Sequence, residues 1–214
     1  MSNTQKLILR LYITRHGQSF GNVEESERIG DCFTGLFRDD WHLTPKGRLQ
    51  AAALGRRMAH IPLDAVLCSP LCRARETAQA VLDAQKNPCP ITLMPELMEI
   101  GDYGDSCGKP ETLGDVILRT RWVMQKVRAT YKNGEHVLIA AHGGLNHPLL
   151  VEALCIDPMP AFRFDQKNTA LSKVVYFGHP RAGSVLPWYE HINLRYMNDT
   201  RHLDTPEIED QWVD

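Results

Sequence analysis

The sequence predicts a three-layer α/β/α sandwich with a mostly parallel central sheet. Three observations carry that expectation: short, uniformly apolar strand segments, helix patterns placed between them, and a length of 214 residues that suits a single domain. The first segment, residues 7–14, is apolar at nearly every position and reads as a strand buried on both faces, as does 136–141. Residues 64–68, 172–177 and 184–192 supply further strands. Thr44-Pro45 opens a helix to His60 as N-cap and N1, and Ser69-Pro70 opens another to about Gln85 in the same manner. A longer helix runs from Glu111 to Lys132 and stops at Asn133-Gly134, and a fourth from Gly143 to Cys155 is interrupted early by Pro148. Residues 23–44 and 100–121 break the alternation and form a small cap, and an acidic tail begins at about residue 198 and lies on the surface. The whole reads as one domain.

Composition narrows the function. A formal charge of −2, from 24 basic and 26 acidic residues, offers no polybasic face for nucleic acid or an anionic membrane. The apolar stretches fall far short of the roughly 20 residues a spanning helix needs. The opening residues lack the pattern of a secretory signal, and six cysteines form no C-x-x-C, so the expected setting is cytoplasmic with reduced thiols. A homo-oligomer remains possible.

The chemistry gathers where strands end. Arg15-His16-Gly17 follows the first strand, and open α/β sheets bind ligands outside the carboxyl ends of their strands. Arg15 offers a planar fork that matches phosphate oxygens, His16 is a nucleophile that can be neutral near pH 7, and Gly17 admits a close backbone approach to a ligand. His142-Gly143-Gly144 repeats the arrangement after another strand, with glycines where a helix N-terminus presents N–H groups to an anion. Arg73 adds a cation at a third strand-to-helix junction, where the helix dipole also favours an anion.

These residues lie in stretches that resemble the histidine phosphatase superfamily, the phosphoglycerate-mutase-like proteins. The resemblance rests on R-H-G-Q-S-F-G-N at 15–22, S-P-L-C-R-A-R-E-T-A at 69–78, L-M-E at 97–99 and H-G-G at 142–144, with weaker matches at 33–35, 43–51 and 168–170. It implies a metal-free, cofactor-free phosphoryl transfer to His16, followed by hydrolysis of the phosphohistidine, on a small phosphomonoester substrate. In the roles it implies, Arg15, Arg73 and His142 hold the phosphoryl oxygens, with the Gly143 N–H as an added donor. Asn22, Thr34 and Gly35 contact phosphate or substrate, and Glu99 is the acid that protonates the leaving oxygen. The segment after Glu99 is about one residue longer than the family pattern and has no tryptophan, so Glu96, Asp102 and Asp105 stand as alternative acids.

Only 42 residues separate Glu99 from His142, where the resemblance implies a long insertion in the family's glycolytic mutases; the short segment fits a small cap and an open, hydrolytic site better than a mutase retaining its bisphosphate. A phosphoglycerate-mutase-type phosphotransferase is the first alternative, and a non-catalytic phospholigand-binding relative the second. His147 lines the pocket or packs beside Pro148, and Arg38, Lys46, Lys109, Arg119 and Arg121 either meet a second anionic group or sit in solvent. Gly17-Gln18-Ser19-Phe20-Gly21 also satisfies the G-x-S-x-G elbow of serine hydrolases, but one upstream strand is too little to build that site. Cys68 and Arg73 are one residue too close for a cysteine-phosphatase loop, and no P-loop or H-E-x-x-H occurs.

Overall fold

A computed structural model describes residues 6–24, 40–103, 111–156, 166–179, 188–205 and 208. Six strands form one sheet: β1 (Lys6–Arg15), β2 (Ala65–Cys68), β3 (Ile91–Leu93), β4 (Glu135–Ala141), β5 (Leu171–His179) and β6 (Trp188–Asp199), in the order β3-β2-β4-β1-β5-β6. The first four are mutually parallel, β5 runs antiparallel to β1, and β6 antiparallel to β5. The mixed, mostly parallel sheet matches the expected architecture.

Burial on both faces explains the nearly continuous apolar strands. Leu11, Ile13, Val137 and Ile139 point into one core layer, and Tyr12, Val66, Leu138 and Ala140 into the other. The first layer is completed by α3 (Leu113–Thr130) and α4 (Gly143–Leu154), through Val123, Met124, Val127, Leu145 and Leu149. The second is completed by α1 (Pro45–Met58) and α2 (Cys72–Asp83), through Leu54, Met58, Ala74, Ala78 and Val81.

Thr44 caps α1 as the sequence predicts, its Oγ1 accepting the Gly47 N–H at 3.0 Å with Pro45 in the first turn. Gly47 has no room for a side chain, since a Cβ there would lie 1.9 Å from the Gln18 carbonyl oxygen, so α1 abuts the loop that follows β1. Thr112 and Asp115 form a reciprocal capping box at α3.

Several details differ from expectation. The second helix begins at Cys72 with Leu71 as N-cap, two residues after Ser69-Pro70. The fourth is continuous through Pro148. Strand β3 has two exposed positions out of three, and gives no apolar signal. The last strand extends to Asp199, past the expected end at 192, and residues 184–187 lie outside the described set. Residues 25–39 and 104–110 of the expected cap also fall outside it, and residues 113–121 belong to α3. The tail is not wholly a surface feature: Leu203 and Ile208 are buried against Ala53, and the Ile208 carbonyl accepts from Gln50 Nε2 at 2.9 Å. Among the described residues, no helix is long and apolar enough to cross a membrane.

Candidate active site

Register aligns the strand ends. Arg15 pairs with Ala141 and Cys68 with Ala140, so the residues that follow β1, β2 and β4 emerge side by side. His16 is fixed there by its backbone: its N–H donates to the Ala141 carbonyl at 3.0 Å, and its own carbonyl accepts from Thr169 N and Asn168 Nδ2. The side chain is 3% exposed, and its Nδ1 lies 2.7 Å from the Gly17 carbonyl. A carbonyl oxygen can only accept, so Nδ1 carries the proton and Nε2 keeps the lone pair. Burial, reinforced by the charges of Arg15 and Arg73, holds the His16 pKa well below the usual imidazole value, so the ring is neutral at pH 7. A neutral imidazole with a fixed tautomer is what nucleophilic attack requires.

His142, the N-cap of α4, is fully buried, and its ring centroid lies 5.1 Å from that of His16. Its Nε2 bonds Ser69 Oγ at 2.7 Å, while Ser69 Oγ also accepts the Leu71 N–H at 3.3 Å. Burial first, then His16 and the arginines, keeps this ring neutral too. Its Nδ1 is buried without a hydrogen-bond partner among the described residues. Leaving such a group unpaired costs about 1–3 kcal/mol, which a bound oxyanion would recover if Nδ1 carries the proton. Ser69, read from sequence as a helix cap, thus positions a histidine of the site instead.

Arg73, in the first turn of α2 and 7% exposed, reaches Asp102 Oδ2 through Nη2 at 3.0 Å. Arg15 donates through Nη1 to the Gln166 carbonyl at 2.6 Å, and its Nε would lie 3.3 Å from a Cβ placed on Gly143. Glu99 accepts three backbone N–H groups: Gly144 on Oε2 at 3.1 Å, and Leu145 and Ile100 on Oε1 at 3.0 and 2.9 Å. It therefore ties the turn after β3 to the N-terminus of α4. Arg119 braces that turn, donating to the Glu96 and Met98 carbonyls at 2.8 Å while its fork grips Glu111. Its role is structural rather than contact with a second anion.

A cavity of about 430 Å³ opens on this group and is lined by the predicted Arg15, His16, Asn22, Arg73 and Glu99. Trp41, Ser19 and Asp102 also line it, and neither Trp41 nor Ser19 was expected as a ligand contact. Asn22 is present, but its Oδ1 accepts from Ser19 N and Oγ at 3.0 Å. Gly17 serves packing more than ligand approach, because its missing Cβ would meet the Gly47 carbonyl at 2.5 Å. The predicted contacts Thr34 and Gly35 lie outside the described residues, as do Arg38, Asp105 and Lys109. A larger cavity, about 580 Å³, is lined by Arg56, Arg57, Arg201 and His202 and contains none of the predicted catalytic residues.

The geometry counts against two rivals. Ser19 spends its hydroxyl on Asn22. Cys68 is fully buried, with its thiol pushed up to about 12 by burial, so it is no thiolate nucleophile at neutral pH.

The model of the histidine phosphatase superfamily (branch 1) matches residues 11–112 and 101–186. A 2,3-bisphosphoglycerate-dependent phosphoglycerate mutase of Gloeobacter violaceus is 28% identical over 176 residues, covering 69% of this chain and 77% of its own. The adenosylcobalamin/alpha-ribazole phosphatase of Salmonella typhimurium is 35% identical over 131 residues, 59% of each chain. The native mycobacterial glucosyl-3-phosphoglycerate phosphatase superposes with a TM-score of 0.66 over 90% of this chain and 99% of its own, at 19% identity, a likeness of fold. With the family's match spanning most of the sequence and the two His-Gly strand ends brought together, the chain belongs to the histidine phosphatase superfamily, branch 1.

Proposed function

We propose that the protein is a phosphatase that hydrolyses a small phosphomonoester through a phosphohistidine on His16, without a metal. The observation that carries this reading is the His16 ring, neutral, buried beside two arginines, and holding Nε2 unprotonated while Nδ1 donates to Gly17. In the first step Nε2 attacks phosphorus as the ester P–O bond breaks, and the leaving oxygen takes a proton from a carboxyl group. In the second, water attacks the phosphohistidine, gives its proton to the same carboxylate, and releases phosphate and neutral His16. Arg15, Arg73, His142 and the Gly143 N–H would surround the phosphoryl oxygens, supplying fixed charge and donors as charge builds up.

Glu99 remains the proposed acid, and Asp102 is the second carboxylate on the cavity wall. Leaving-group dependence of the first step separates them: the variant lacking the true donor still forms the phosphohistidine from p-nitrophenyl phosphate, seen as a burst of nitrophenol, but not from an alkyl phosphate, whose poorer leaving group needs the proton. Asn22 is proposed as a substrate contact from its place in the cavity, and Thr34 and Gly35 from the sequence match alone.

Hydrolysis is favoured over mutase chemistry because α3 and β4 occupy most of the chain between Glu99 and His142, leaving little for a lid that keeps water out. The names of the similar phosphatases, with their phosphorylated small molecules, support a small substrate. The test is p-nitrophenyl phosphate hydrolysis in excess EDTA, with His16→Ala alongside. Turnover that survives the chelator and disappears in the variant supports the reading; turnover intact in His16→Ala overturns it. Phosphoglycerate isomerisation that depends on added bisphosphoglycerate would establish the mutase instead.

A further inference from the structure

We propose that His42, Cys72 and Glu76 form a binding site for one divalent ion of the zinc and cobalt class, separate from the phosphate cavity but joined to it through the backbone. Nδ1 of His42, Sγ of Cys72 and a carboxylate oxygen of Glu76 all lie within 4.8 Å of one another. Bonds of about 2.0–2.3 Å at a tetrahedral centre put ligands about 3.3–3.8 Å apart, so side-chain adjustments of about an ångström complete the set. Cys72 and Glu76 are four residues apart at the start of α2 and share one face of the helix, while His42 comes from the segment leading into α1.

The donors select the ion. Sulfur, imidazole nitrogen and a single carboxylate suit zinc and cobalt, whereas calcium and magnesium take oxygen shells. Three protein ligands leave the fourth position to water. Burial is graded to match, with Cys72 4% exposed and the side chains of Glu76 and His42 at 22% and 34%, so the open position faces solvent on the histidine side.

Charge and protons balance. Binding releases the Cys72 thiol proton to solvent, and His42, now bonded to Glu76 through Nδ1, carries its proton on Nε2 so that Nδ1 can ligate. Thiolate and carboxylate then neutralise the ion. Arg48, 3.0 Å from Glu76 Oε2, and Arg75, 3.7 Å from Cys72 Sγ, are left beside a neutral centre rather than a cation. Both flanks lead to the phosphate cavity: Cys72 precedes Arg73, His42 follows Trp41, and Asp40 Oδ1 already accepts the Cys72 N–H at 2.6 Å. An ion here would pin the Trp41 segment to the start of α2.

Cobalt reports the site directly. The full chain, stripped with EDTA and titrated with Co²⁺, is expected to bind one ion per chain, with a near-ultraviolet thiolate-to-cobalt band and the visible bands of a four-coordinate centre. Zn²⁺ should displace it. Cys72→Ser should abolish the thiolate band. His42→Ala and Glu76→Gln, which leave the sulfur in place, should weaken binding about tenfold or more. Without metal, Cys72→Ser should hydrolyse p-nitrophenyl phosphate as the parent does, and the band should persist in His16→Ala. Absence of a thiolate band, its survival in Cys72→Ser, or affinity unchanged in both His42→Ala and Glu76→Gln would overturn the site. A signal lost in His16→Ala would place the ion on the catalytic histidines and overturn it equally.

Discussion

The two His-Gly strand ends look alike in sequence, yet the fold makes them chemically opposite. His16 turns Nδ1 to its neighbour's carbonyl, a contact within the β1 loop that leaves Nε2 with its lone pair, the atom proposed to attack. His142 turns Nε2 to Ser69, a residue 73 positions away, and leaves Nδ1 as its unpaired buried atom. Ser69 Oγ already accepts from Leu71 N, so the economical arrangement has its hydroxyl donating to His142 Nε2, which places the single proton of the neutral ring on Nδ1. One ring is then set to give an electron pair and the other a hydrogen bond. The same residue type at equivalent strand ends acquires its role from what meets the far nitrogen.

The sharpest way to break this comparison is to remove each ring. His16→Ala should lose about 10⁴-fold or more in turnover and form no acid-labile phosphoprotein. His142→Ala should lose about 10²–10³-fold and still form some, because removing one donor to a developing oxyanion costs that much. Equal losses, with no phosphoprotein in either, would end the division of roles.

Gly144→Ala probes the scaffold behind His142. A Cβ there would lie 2.7 Å from Glu99 Oε1, so the carboxylate that ties the β3 turn to α4 must move. A stability loss of about 1–3 kcal/mol by denaturant unfolding is expected, with activity falling as well. An unperturbed midpoint and rate would show that the Glu99 contact is dispensable.

Ser69→Ala sharpens the tautomer argument at lower cost. Losing one buried hydrogen bond of about 1 kcal/mol should lower kcat about fivefold, and Ser69→Thr, which keeps the hydroxyl, should recover most of it. If alanine and threonine behave alike, the bond does not set the His142 proton.

The smallest effect is on stability against pH. His202 bridges Arg57 and Thr169 Oγ1, and Thr169 N in turn holds the His16 carbonyl. Burial and Arg57 lower its pKa to about 4. The unfolded chain, with an ordinary value of about 6.5, binds this proton first as pH falls. The stabilisation is therefore complete above about pH 6.5 and lost as pH drops toward 4. His16 and His142 act in the same direction, their lowered values adding to the acid sensitivity. His202→Asn should flatten the fall of Tm between pH 7 and 5 by about 2–4 °C; an unchanged slope would show that His202 is not part of it.

Legibility followed local information. β1 and β4 were readable because burial on both faces leaves a nearly continuous apolar run, whereas β3, with Thr92 and Leu93 exposed at the sheet's edge, leaves none. Thr44-Pro45 and Ser69-Pro70 look like the same helix start, but only the first is one. Thr44 caps Gly47, while the Ser69 side chain is engaged by His142, the N-cap of α4, and the helix starts two residues later. The tail reads as surface until Leu203 and Ile208 find Ala53 on α1.

By itself the sequence determined the layered α/β class and placed two histidines and two arginines at strand ends as candidates for the chemistry, because burial patterns and side-chain types are properties of the chain. Only the tertiary structure decided which nitrogen of each histidine is available, that Glu99 spends both oxygens on backbone N–H groups, that Arg73 meets Asp102, and that His42 comes to lie beside Cys72 and Glu76. Those outcomes depend on partners distant in sequence, and a hydrogen bond or a buried charge takes its character from the group it meets.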